Sequence, residues 1–259
     1  MSANDLTALL AATRWWRRSY PFTHFWARDV FVPEFYEELE SAFQSILARG
    51  TSDSNDPDRF SRNMKYSDAY SWNFPADLGG PLDVFYSRPW HDLLAGLTGV
   101  EATLDVNGAL HHHPVGSPNG KVHRDLAVGW FSSQPRADGV NPMDLRRCSY
   151  MYGEALEPGV AARETIRAVT VIFYLANPPW VAGQGGETGL YVCADDPVER
   201  PSARIPPSNN SILVFENTPG SYHSFLRNSR TVRNSVILWL HRSKNEALAR
   251  WGNHPISRW

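Results

Sequence analysis

The chain has 259 residues, 42% hydrophobic and 20% charged, with a formal net charge of −2. That is globular composition. With no clustered basic surplus, it excludes a nucleic-acid surface built on phosphate neutralisation. No apolar run approaches the length of a membrane span. Two cysteines, Cys148 and Cys193, are too few for a disulfide framework and lack the paired spacing of a zinc site, so they are expected as reduced thiols of a cytoplasmic protein.

The first hundred residues read mainly as helical support. The apolar patch Leu6 to Ala12 is preceded by Asp5 and followed by Trp15-Trp16-Arg17-Arg18, which fits a short helix and not a secretory signal. From Pro33 to Ala48, apolar side chains at Phe35, Leu39, Phe43 and Ile46-Leu47 recur three or four apart, ending at Gly50. That spacing predicts an amphipathic helix. A second helix is expected over Pro89 to Leu97, before Gly99.

Beyond residue 100 the period shortens. Strands are expected from Leu104 toward Leu110, at Lys121-Val122-His123, over Val169–Leu175, at Leu190–Val192, over Ser211–Phe215 and over Val236–Leu240, most of them bounded by Gly, Pro or Asn. Short strands after helices indicate a mainly β sandwich or barrel with helices packed on one face. No repeat interrupts the chain, which is read as one domain: 1–100 support, 101–242 core, 243–259 a C-terminal helix or tail. One segment breaks the rhythm. Residues 131–164, including Gln134-Pro135-Arg136-Ala137-Asp138-Gly139, have weak periodicity, as expected of a lid or binding loop.

Among nine histidines, the run His111-His112-His113 cannot converge on one ion, because side chains alternate faces along a strand. His123 and Asp125, spaced i, i+2, are expected to project from one strand face, offering an imidazole and a carboxylate. His223, after the strand ending at Phe215 and the turn Thr218-Pro219-Gly220, supplies a third ligand. Two histidines and one carboxylate leave three open positions on non-haem iron(II), suited to a bidentate co-substrate and oxygen. A closed structural zinc site wants four ligands. A 2-oxoacid co-substrate also needs a cationic anchor. Arg233, opening the last strand, can form a bidentate pair with a carboxylate.

The pattern His123-x-Asp125, Gly185-Gly186-Glu187-Thr188, His223 and Arg233-x-Ser235-x-x-x-Trp239 resembles the prolyl 4-hydroxylase-like branch of the iron(II)/2-oxoglutarate dioxygenases. Upstream, Pro21-Phe22-Thr23-His24-Phe25 and Asp29-Val30-Phe31-Val32-Pro33-Glu34 are similar to that family's entry strand and first helix. The resemblance implies a double-stranded β-helix (jelly-roll) core. It implies Fe(II), 2-oxoglutarate and O2 as cofactor and co-substrates, with His123, Asp125 and His223 on iron. It also implies Arg233 and Tyr174 on the C5 carboxylate of 2-oxoglutarate. The chain departs from the family where a Tyr commonly stands some ten residues before the first iron-binding His; His111 or His113 takes that place. The retained Asp125 implies hydroxylation and not halogenation.

The expected activity is therefore hydroxylation of an unactivated C–H. A lidded 131–164 segment carrying Arg136, Arg146, Arg147, Tyr150 and Tyr152 favours a small, carboxylate-bearing substrate, such as a free amino acid or a specialised-metabolite intermediate. Three alternatives stand beside it: a protein prolyl hydroxylase of the same family, a non-catalytic metal-binding jelly-roll module, and a zinc hydrolase on the same ligands. The last lacks a recognisable general-base motif. Neither a nucleic-acid partner nor a membrane is expected.

Overall fold

The computed structural model describes residues 5–12, 14–62, 69–132 and 139–258. In chain order the elements are α1 (Leu6–Leu9), β1 (Trp16–Arg18), β2 (His24–Arg28), α2 (Pro33–Leu47), β3 (Thr51–Ser52), β4 (Phe60–Ser61), β5 (Tyr70–Asn73), a 3₁₀ helix at Gly80–Tyr86 and α3 (Arg88–Thr98). The core follows with β6 (Asp105–His113), β7 (Val128–Ser132), β8 (Asn141–Pro142), β9 (Ala162–Tyr174), β10 (Thr188–Tyr191), β11 (Ala203–Ile205), β12 (Ser211–Glu216), β13 (Tyr222–Phe225), β14 (Arg233–Ser243) and α4 (Lys244–Trp251).

Both predicted helices form, and their ends follow local chemistry. In α2, Pro33 occupies the first turn, where its missing N–H costs nothing, and Phe35, Leu39, Phe43 and Ile46 are the buried stripe. In α3, the Ser87 side chain accepts from the Trp90 N–H, and Gly99 closes the helix at φ 69°, a left-handed geometry that glycine adopts without strain. The first hundred residues are nonetheless not only helical. β1 and β2 extend one edge of the main sheet through β12, and β5, β4 and β3 extend the other through β6. These strands run from two to five residues, too short for an alternation to register in sequence.

The jelly-roll consists of a large sheet, ordered β1-β2-β12-β9-β14-β6-β5-β4-β3, and a small sheet, β11-β10-β13. Strand alternation divides the large sheet into two faces. Val171 and Phe173 of β9, Ile212 and Val214 of β12, Val236 and Leu238 of β14 and Leu110 of β6 join the core that packs on α2, α3 and the 3₁₀ helix. Their neighbours Ile172, Tyr174, Leu213 and Phe215 turn inward and meet Leu190 and Ile205 of the small sheet. The interior of the roll is therefore lined by every second residue of β6, β9, β12 and β14. Among the described residues, no helix is long and apolar enough to cross a membrane.

Two local expectations need correction. Residues 121–126 are not a strand; His123 makes an isolated antiparallel bridge to His223. The segment 131–164 is also less irregular than its composition indicates. Phe131 and Ser132 finish β7 and pair with Arg163 and Ala162 of β9. The stretch from Gln134 to Asp138 lies outside the described residues.

Candidate active site

The bridge that replaces the expected strand brings the two histidines together. The His123 N–H donates to the His223 carbonyl at 3.0 Å, and the His223 N–H returns the bond at 2.8 Å, so the residues sit directly opposite each other. Their rings lie 4.4 Å apart. Asp125 approaches both: its Oδ1 is 3.6 Å from His123 Nε2, and its Oδ2 is 3.4 Å from His223 Nε2. One donor atom from each of the three lies within 4.8 Å of the others.

The tautomers suit a metal. Each Nδ1 faces a backbone carbonyl two residues back, Lys121 at 2.8 Å and Ser221 at 3.3 Å. A carbonyl only accepts, so Nδ1 carries the proton and Nε2 keeps its lone pair for the centre. His123 keeps 51% of its side-chain surface exposed, yet desolvation of the ring among its neighbours, then the charge of His223, lowers its pKa against the opposing pull of Asp125. Burial would raise the Asp125 carboxyl, but His223, then His123 and Arg167, hold it well below the usual carboxylate range. Asp125 is fixed from behind: the Trp239 indole N–H donates to Oδ2 at 2.8 Å, and the Thr170 hydroxyl donates to it at 2.9 Å. Trp239→Phe deletes one of these supports. Iron affinity is expected to fall about 10–100-fold, the usual cost of losing a ligand's hydrogen-bonded partner; an anaerobic iron titration reads it.

The cavity above the triad has a volume of about 500 Å³. At one end Arg233 projects from β14 and is almost fully buried. Its Nη1 donates to Ser235 Oγ at 3.0 Å and its Nη2 to Thr188 Oγ1 at 3.3 Å. The Thr188 and Tyr174 hydroxyls are 2.6 Å apart. The guanidinium lies over the Tyr174 and Phe225 rings at 5.2 and 5.6 Å. Its Nε has no hydrogen-bond partner. Among the described residues, no carboxylate pairs with it.

The histidine run divides as alternation requires. His112 turns to the helical side, sharing a 2.7 Å hydrogen bond with Asn234. His111 and His113 line the cavity beside Arg233, and His113 stacks on Phe225 with ring centroids 3.9 Å apart. Burial, then the Arg233 charge, pushes His111 down to about 3 and His113 well below its ordinary value. Burial does the same to His241, inside the roll against Phe131 and Tyr150. These rings stay neutral in the fold but take up a proton near the ordinary value of 6.5 when unfolded. Stability is therefore full above that pH and is lost as pH falls below it, by about 1.4 kcal/mol per group one unit down. His113 and His241 together should cost about 3 kcal/mol at pH 5.5 relative to neutral pH. Urea midpoints at the two pH values measure it.

Sequence reasoning missed Arg167 and Thr170, and placed Tyr150 in a lid. Thr170 was legible by alternation, lying two and four residues before Ile172 and Tyr174. Arg167 was not, because β9 carries one extra residue. Leu240 pairs with Val169 but His241 pairs with Arg167, leaving Ala168 as a bulge, which changes the face that the preceding residues present. Arg167 consequently enters the cavity. Its guanidinium stacks on Trp239 at 3.9 Å, donates through Nε to the Tyr150 hydroxyl at 2.9 Å, and has Nη1 3.7 Å from Asp125 Oδ1.

Among the described residues, the expected lid does not form the cavity roof. No described residue of 131–164 lines the cavity. Arg146 pairs with Asp144 and Asp77, Arg147 pairs with Glu157, and Tyr152 is exposed. Of the segment's described residues, Tyr150 alone reaches the site, through Arg167. Arg136 lies outside the described residues.

Residues 147–241 match the sequence model of the 2OG-Fe(II) oxygenase superfamily. Over that stretch the chain is similar to the 2OG-Fe(II) oxygenases. Enzymes of this family use Fe(II), 2-oxoglutarate and O2. The fold is similar to that of a Pseudomonas putida prolyl-4-hydroxylase, with a TM-score of 0.52 at 15% identity, over 93% of this chain and 96% of that one. A Trichoplax adhaerens prolyl hydroxylase, solved in complex with a hypoxia inducible factor oxygen degradation domain peptide fragment, gives 0.48 at 14% identity over 85% and 83%. The viral collagen prolyl hydroxylase of Paramecium Bursaria Chlorella virus-1 gives 0.47 at 12% over 81% and 93%. No curated protein sequence matches the chain. The donor set fits iron(II): two imidazole nitrogens and one carboxylate gathered at the wall of a cavity.

Proposed function

We propose that the chain is an iron(II)- and 2-oxoglutarate-dependent oxygenase that hydroxylates an unactivated C–H of a small molecule, with His123, Asp125 and His223 as iron ligands and Arg233 as the seat of the 2-oxoglutarate C5 carboxylate. Arg233 carries the reading. A buried guanidinium with a free Nε and no described carboxylate partner is costly, and an anionic co-substrate would complete it. Tyr174 reaches the same corner through the hydroxyl it shares with Thr188.

Bound iron(II), with 2-oxoglutarate and oxygen, supplies the oxidising power for C–H hydroxylation. The chain's residues orient and shield. Thr170 and Trp239 hold the Asp125 carboxylate. Arg233, Ser235, Thr188 and Tyr174 fix the far end of the co-substrate, and Ile172, Ile237 and Phe225 exclude water from the wall between. Retained Asp125 favours hydroxylation over halogenation; a chlorinated product in a turnover assay would refute that.

A cavity of about 500 Å³ falls within the usual range for small-molecule sites, about 300–1,000 Å³. The second reading, a protein prolyl hydroxylase, draws on the likeness in fold to the Pseudomonas putida prolyl-4-hydroxylase. Anaerobic iron(II) with 2-oxoglutarate is expected to produce a weak visible charge-transfer band; its absence, with no uncoupled succinate formation, would favour a metal-binding module. Succinate release with free amino acids and with short proline-containing peptides then separates the substrate classes. Stimulation by peptides alone would overturn the small-molecule reading.

A further inference from the structure

The charged residues around the cavity are unequal in sign. Lys121, Arg124, Arg167 and Arg233 line it, and Asp125 is the one carboxylate among the described residues that does. This excess sits in a chain whose formal net charge is −2. On the proposed reading, Asp125 is committed to the metal and Arg233 to the co-substrate, and Lys121, Arg124 and Arg167 stand on the substrate side. They differ in exposure. Arg167 is nearly buried and held in one orientation by the Trp239 face and the Tyr150 hydroxyl. Arg124 is tethered by Nη1 to the Pro219 carbonyl at 3.2 Å and the Tyr222 hydroxyl at 3.0 Å. Lys121 is exposed.

We infer that the substrate of this oxygenase is a free acid, which presents a carboxylate to Arg167 and is drawn in by Lys121 and Arg124. The inference rests on the iron and 2-oxoglutarate reading above. Three observations support it: the sign of the wall, the fixed orientation of the inner guanidinium, and its position. With Nη1 3.7 Å from Asp125 Oδ1, an anion on Arg167 lies close to the metal, so the carboxylate and the oxidised carbon belong to one small skeleton. An internal prolyl residue of a peptide offers only a neutral amide there. Guanidinium binds a carboxylate through charge-assisted, paired hydrogen bonds that an amide oxygen cannot match. Of the loop arginines that sequence composition put forward, Arg146 and Arg147 pair with neighbouring carboxylates instead; the cations that matter come from β9 and from the segment around His123.

The test uses the full chain loaded anaerobically with iron(II) and 2-oxoglutarate, so that Arg233 is already occupied. Matched probes are cyclohexanecarboxylate against cyclohexanecarboxamide and L-proline against L-prolinamide, titrated by calorimetry and by perturbation of the charge-transfer band. Each acid is expected to bind at least tenfold more tightly than its amide. That preference should collapse in Arg167→Gln and weaken in Arg124→Gln and Lys121→Gln, more so at low ionic strength. Arg167→Lys, which keeps the charge, should restore part of it and guards against misfolding of the Gln variant. Equal binding of acid and amide, or binding of neither while the band is present, overturns the inference and leaves the iron reading standing. Failure of the band itself removes both.

Discussion

Asp125→Ala is expected to abolish turnover and iron binding together. The carboxylate is the one anionic donor of the triad and faces both Nε2 atoms. Its loss should exceed the about 10–100-fold in metal affinity that follows loss of a ligand's supporting contact. The substitution also removes the acceptor of the Trp239 N–H, an orphaned buried donor worth about 1–3 kcal/mol. Asp125→Asn separates the two effects. Its amide oxygen still accepts from Trp239, so thermal stability should recover while iron affinity does not. Iron titration and a melting curve on both variants read the difference, and an Ala variant that retains wild-type iron affinity would dismiss Asp125 as a ligand.

Arg233→Ala should leave iron binding intact and weaken 2-oxoglutarate. Truncating one partner of a buried, hydrogen-bonded charge pair costs about 2–5 kcal/mol, which is about 30-fold to several thousand-fold in affinity. Arg233→Lys keeps the charge but loses the fork that reaches Ser235 and Thr188 at once, so it should recover only part of the loss. The charge-transfer band titrated with 2-oxoglutarate gives the affinity directly. Unchanged affinity in the Ala variant would place the co-substrate elsewhere in the cavity.

Much of this architecture was legible in the sequence because the roll is built on alternation. Arg233, Ser235, Ile237 and Trp239 share a face as their spacing requires, and His112 parts from His111 and His113 for the same reason. The two long helices declared themselves through their apolar stripes. What escaped had no periodic signature. The His123 segment is held by a single bridge, so His123 and Asp125 converge through tertiary pairing with His223 and not through strand geometry. The short strands of the first hundred residues carry too few positions to show a period. The 131–164 segment looked like a lid because composition reports polarity, whereas Arg146 and Arg147 spend theirs on neighbouring carboxylates.

The extra residue in β9 has a wider meaning. Upstream of Ala168 the pairing with β14 is displaced by one position, so counting along β9 from Thr170 gives the wrong face for Arg167. Removing Ala168 would close the bulge and leave Arg167 opposite His241 as it is now, with the guanidinium still in the cavity. The neighbouring strand β14, and not the residue count along β9, aims Arg167, so a one-residue deletion here is expected to change local twist and spare the cavity lining.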